Sequence, residues 1–139
     1  MKATDLMIGD WVRTGYLDYN KVQEIARDND MQWYISFACS TTLFPTLFRA
    51  YEFEPVPLTP EILEKNGFCF VKSSDRDTAW NGWWIYKGLE IGVCCLDREG
   101  NWHCCINITD SNVPCEYVHQ LQHALRLCEL NELADNFKI

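Results

Sequence analysis

Alternation of apolar and polar positions with a period of two dominates the first part of the chain. Trp33, Ile35 and Phe37 alternate with Tyr34, Ser36 and Ala38, which predicts a strand over residues 32–38 with one face turned to a core. Met7 to Val12 enters an earlier strand through a turn at Gly9-Asp10. Lys21 to Arg27 forms another, stopped by the polar cluster Asp28-Asn29-Asp30. Leu47, Arg49, Tyr51 and Phe53 continue the same period. Short strands packed this closely predict a small all-β unit over residues 1–56, an SH3-like barrel or a meander.

The period then changes. Pro55 and Pro57 cannot sit in a central strand and mark a joint. Thr59 is placed to cap a helix over residues 59–66, with Pro60 at its first position and Glu61 at the positive end of the dipole. Leu58 and Leu63 are spaced for a hydrophobic staple, and Asn66-Gly67 stops the helix.

Beyond it, residues 68–72 read as a strand and 73–78 as a loop. Apolar runs at 83–86, 89–96 and 102–108 follow, joined by the turn signals Lys87-Gly88 and Arg98 to Asn101. Two-residue turns would set Trp84 opposite Ile91, Tyr86 opposite Leu89, Val93 opposite Ile106, Cys94 opposite Cys105 and Cys95 opposite Cys104. The face holding Trp84, Val93, Cys95, Cys104 and Ile106 is apolar and needs a cover. The expected cover is a last helix over 115–129, in which Tyr117, Val118, Ala124, Leu125 and Cys128 lie within about 60° of Leu121. His119 and His123 fall about 160° away, towards solvent, and the tail from Asn131 to Ile139 is expected to dock loosely. The fold class is therefore α+β. An all-β subdomain (1–56) precedes an α+β subdomain (57–139) made of a short helix, an antiparallel sheet of about four strands and a C-terminal helix packed on that sheet.

Composition supports a filled core, since 47% of residues are hydrophobic and 14% aromatic. A formal charge of −8 repels phosphate backbones, so a nucleic-acid role through the small barrel runs against it and would need a local basic patch, and there is no run of Lys and Arg. No apolar run approaches the roughly eighteen residues of a membrane span, and the N-terminus lacks the apolar stretch of a leader. A cytoplasmic protein is expected, its eight cysteines reduced and used mostly as small buried hydrophobes.

Four of those cysteines form the doublets Cys94-Cys95 and Cys104-Cys105. Neighbours in a strand point to opposite faces, so the doublets offer two sulfurs per face rather than four ligands around one metal. No metal or other cofactor is expected. The outer pair, Cys94 and Cys105 with His103 beside them, is the one arrangement that would suit a thiol- or metal-dependent enzyme. His119-Gln120-Leu121-Gln122-His123 has the histidine spacing of a zinc protease, but Gln stands where the catalytic Glu would be. No phosphate loop, dinucleotide fingerprint or nucleophile elbow occurs, and no catalytic residues are assigned. The candidate binding surface is the outer face of the sheet: Trp80, Trp83, Ile85, His103 and Cys105.

Three stretches carry a resemblance: Leu6 to Val12 (LMIGDWV), Pro55 to Phe68 (PVPLTPEILEKNGF) and Tyr117 to Leu130 (YVHQLQHALRLCEL). In that order they resemble a family of small proteins without an assigned reaction, common in gut Bacteroidales and in their phages and mobile elements. Its motifs are IGDWV or IGNWV, then IPLTPEILEKNGF, then VHxLQ. The resemblance spans roughly a third of the chain and leaves out the cysteine doublets. It implies a bacterial cytoplasm and an accessory role in a phage or mobile element. The function expected from residues and resemblance together is that of a non-enzymatic adaptor binding another protein, with the thiol- or metal-dependent enzyme as the alternative.

Overall fold

The computed structural model describes residues 5–14, 18–27, 29, 32–37, 47–49, 53–72, 82–86, 92–96, 102–108 and 111–139, with backbone alone for 18, 47–49, 92–96, 102–108 and 111–114. The chain divides into two compact units. One joins Met1–Val56 to Tyr117–Asn136, and the other joins Pro57–Glu116 to Phe137–Ile139.

The first unit contains a five-stranded antiparallel sheet of order β4-β3-β2-β1-β5. Its strands are β1 (Trp11–Thr14), β2 (Asp18–Arg27), β3 (Trp33–Phe37), β4 (Leu47–Arg49) and β5 (Phe53–Pro55). The alternating segment that continues to Phe53 is thus two short strands, at the two ends of an open ladder. β2 serves two neighbours. Its first half pairs with β1 and its second with β3, and the register slips by one residue between Val22 and Glu24. Such a bulge bends a strand, which lets one long strand serve both ladders. Leu6, Val12, Val22, Ile35, Phe37 and Phe53 form the core of this unit, with Ile25 and Trp33 packed against it. Ser36 is buried too, so β3 is covered on both faces.

The C-terminal helices α2 (Val118–Leu127) and α3 (Asn131–Asp135) belong to this first unit. This corrects the expectation that the last helix covers the second sheet. Hydrophobic periodicity predicts that a helix has a buried stripe; it does not name the sheet the stripe meets. Leu121 and Leu125 are fully buried, but so is the polar Gln122, and His119 is nearly so, on other sides of the helix. α2 is also shorter than predicted. Glu129 adopts φ 62°, the Leu130 N–H reaches the Leu125 carbonyl at 2.8 Å, and the Glu129 N–H reaches that of Arg126 at 3.0 Å, closing a Schellman cap. The tail is held rather than loose, since Ala134 and Phe137 are buried.

In the second unit α1 (Pro60–Lys65) forms as its punctuation dictates. The Thr59 hydroxyl accepts from the Ile62 N–H, Pro60 opens the helix, and Gly67 at φ 82° follows the Asn66 cap. The Asn66 side chain also pairs with the chain end, donating to the Lys138 carbonyl at 2.7 Å and accepting from its N–H at 2.8 Å. The sheet is a five-stranded meander, β6 (Phe68–Lys72), β7 (Gly82–Tyr86), β8 (Gly92–Leu96), β9 (Trp102–Ile108) and β10 (Ser111–Pro114), in spatial order β10-β9-β8-β7-β6. Leu63, Phe68 and Trp84 are buried, and the rings of Phe68 and Tyr86 lie 5.3 Å apart.

Candidate functional site

The predicted face can now be placed row by row. Val93 stands opposite Ile106 and Cys94 opposite Cys105, as the sequence implies. Trp84, however, stands opposite Val93 rather than Ile91, two residues away from the register that a two-residue turn at Lys87-Gly88 would set. A shift of two leaves every residue on its predicted face. The expected pairing of Cys95 with Cys104 is lost. Between the Cys94–Cys105 and Leu96–Trp102 rows, Cys95 alone stands against His103 and Cys104. Such an irregularity interrupts strict alternation, so the argument that set His103 beside Cys105 does not run through it.

Of the five candidate residues, Trp83 and Ile85 are seen in full, both half-buried on one face of β7. Their partners on β6 are Val71 and Cys69, and both are exposed, Val71 at 47%. Those four residues make an apolar patch continuous across two strands, with no charge among them. The backbones of His103 and Cys105 lie on β9; their side chains, and all of Trp80, are outside the described residues. Phe70 and Trp84, on the opposite face, pack ring to ring at 5.4 Å. Phe70 also covers Gly82, where a Cβ atom would come within 2.4 Å of its ring.

A second constellation lies in the first unit, around Asp10, whose carboxylate is fully buried in the turn before β1. The Met7 N–H donates to Oδ2 at 2.7 Å, His123 Nε2 lies 2.6 Å from the same oxygen, and Arg126 Nη1 donates to Oδ1 at 2.8 Å. Next to it Gln122, also fully buried, uses both ends of its amide. Oε1 accepts from the Trp11 N–H at 3.1 Å, while Nε2 donates to the carbonyls of Gly9 and Ala134 at 3.0 and 2.9 Å. Gly9 is required there, since its φ is 90° and a Cβ would meet Arg126 Nη2 at 2.9 Å.

This cluster corrects the placement of the two histidines. His123 turns to Asp10, and His119 is 5% exposed with its ring stacked on Tyr117 at 5.9 Å. The hydrophobic stripe cannot reveal this, because polar residues are buried wherever partners are supplied, here by a segment more than a hundred positions away. One signal was available: an Asp after a turn Gly, and a helix with amide, imidazole and guanidinium within about one turn, at Gln122, His123 and Arg126. His119 Nδ1 is buried without a hydrogen-bond partner, and desolvation holds the imidazole below its ordinary pKa, with Asp10 opposing and His123 adding to that shift. An Asp–His pair can orient a general base. Here Arg126 neutralises the carboxylate, and no nucleophile is hydrogen-bonded to His123 among the described residues. The cluster is a latch between α2 and β1.

Among the described residues, no group of three His, Cys, Asp or Glu side chains could hold a metal, and no helix is long and apolar enough to cross a membrane. No family model matches the chain, and no curated protein or solved structure matches it at a significant level.

Proposed function

We propose that this α+β protein is a non-enzymatic adaptor that binds another protein through the outer face of its second sheet. The observation that carries the reading is the patch of Cys69, Val71, Trp83 and Ile85. It is apolar and accessible at its β6 side, in a chain whose surface charge is otherwise strongly acidic. The proposed binding surface also takes in Trp80, His103 and Cys105, whose side chains lie outside the described residues. The same reading takes the first unit as a small SH3-like barrel, supported by β1 lying between β2 and β5 and by the bulge that bends β2. The setting is that of the resemblance: a bacterial cytoplasm and an accessory role in a phage or mobile element, with neither nucleic acid nor membrane as the partner.

Affinity capture from the native host with the unchanged chain and with Val71→Lys/Trp83→Ser tests this. A partner retained by the first and lost by the second supports the proposal. Identical recoveries, or no specific protein with either, would remove it.

The alternative enzyme, using Cys94, Cys105 and His103, is favoured by one observation: the register sets Cys94 opposite Cys105. Its test is a thiolate with a depressed pKa. Uniformly slow alkylation of all cysteines in the folded chain would dismiss it.

A further inference from the structure

The sheet edges of this protein are not alike. An unpaired edge offers a row of N–H and C=O groups to any other strand, and proteins blunt such edges with proline, charge, bulges or brevity. β4 is three residues long and ends in Arg49; β5 is three residues long and carries Glu54 and Pro55. β10, at one edge of the second sheet, ends in Pro114. β6, at the other edge among the described strands, has none of these devices. It runs for five residues, Phe-Cys-Phe-Val-Lys, with neither proline nor acid, and its one charge is at its end. Cys69, Phe70, Val71 and Lys72 are all exposed, Phe70 at 42%.

We propose that β6 pairs antiparallel with β6 of a second copy of this chain, about a two-fold axis at Phe70, joining two meanders into one continuous sheet. The strand is complementary to itself in that register and in no other of equal length. Phe70 faces Phe70, Cys69 of one copy faces Val71 of the other, and Phe68 faces Lys72, so no like charges oppose each other. Aromatic and aliphatic residues directly opposite one another are the favourable class of cross-strand pair. The two-fold also continues the register rows, in the order Ile85, Cys69, Val71, Trp83 from one copy into the next. The net charge of −8 per chain opposes association at long range. Because the edge itself holds no acid, salt should tighten the dimer by screening that repulsion. This inference is independent of any partner on the outer face.

Sedimentation of the full chain, reduced, over a range of concentrations and at two salt concentrations tests it. The expected result is a reversible dimer that tightens as salt rises. Cys69→Lys/Val71→Lys, which opposes lysines twice across the axis, should raise the dissociation constant by about tenfold or more. Cys69→Glu/Val71→Lys, which opposes unlike charges, should keep the dimer and show that charge at these exposed positions leaves the fold intact. Val71→Cys should give a covalent dimer on mild oxidation, through the Cys69 thiol of the other copy. A monomer at every concentration overturns the proposal. So does a dimer indifferent to the lysine pair, or one lost equally in both charge variants.

Discussion

Asp10 is a carboxylate removed from water and held by an N–H, an imidazole and a guanidinium. Removing one partner from a buried charge set leaves the others uncompensated. Asp10→Ala is expected to cost about 3–5 kcal/mol, with Asp10→Asn intermediate, as read from urea unfolding followed by circular dichroism. A midpoint unchanged in Asp10→Ala would show that the latch contributes nothing. His119 sets a pH dependence of known sign. Burial lowers its pKa from the ordinary 6.5, so below that value the unfolded chain binds a proton that the folded chain refuses. Its contribution to stability is complete above about 6.5 and falls as the pH drops towards the folded pKa. Between about pH 7.5 and 5 the protein should lose stability, and His119→Phe should lose less. Equal losses would place the titration elsewhere. Beyond an Asp after a turn Gly and a polar trio on the last helix, these roles were not legible in the sequence. Two histidines one helical turn apart read as solvated on phase alone, whereas His123 meets Asp10 from more than a hundred positions away and His119 is buried with its ring stacked on Tyr117.

Elements were legible where their signals are local. α1 was readable because Thr59, Pro60 and Gly67 act on their immediate neighbours, and β3 because its alternation is unbroken. The C-terminus of α2 was missed for the opposite reason. Its left-handed cap residue is Glu129, not Gly, so no punctuation announces it. A non-glycine residue in that conformation is strained, and Glu129→Gly is expected to stabilise the protein by about 1 kcal/mol, seen as a raised melting temperature. Leu121 and Leu125 are each fully buried on α2, and replacing either by Ala should cost about 2–5 kcal/mol. Since α2 belongs to the first unit, that loss should appear first in the hydrogen exchange of β1 and β2. Loss confined to β6–β9 would contradict the assignment.

The whole molecule departs most from a reading in sequence order. The first compact unit joins Met1–Val56 to Tyr117–Asn136, so its two parts are separated by sixty intervening residues. Hydrophobic pattern gives faces, whereas only long-range partners decide which faces meet. Residues 1–56 produced alone should therefore lack slowly exchanging amides in β1 and β2, and a cooperative unfolding transition in that fragment would refute this. The latch also fixes a timetable. The hydrogen bonds that tie α2 to Gly9, Asp10 and Trp11 close loops of more than a hundred residues, the slowest class of contact to form. A ribosome adding about 5–20 residues per second needs on the order of ten seconds to travel from Val56 to Asn136. For that interval the first unit lacks α2 and α3, while all five strands of the second meander have already been made. The unit that begins the chain cannot be finished until its last helices emerge.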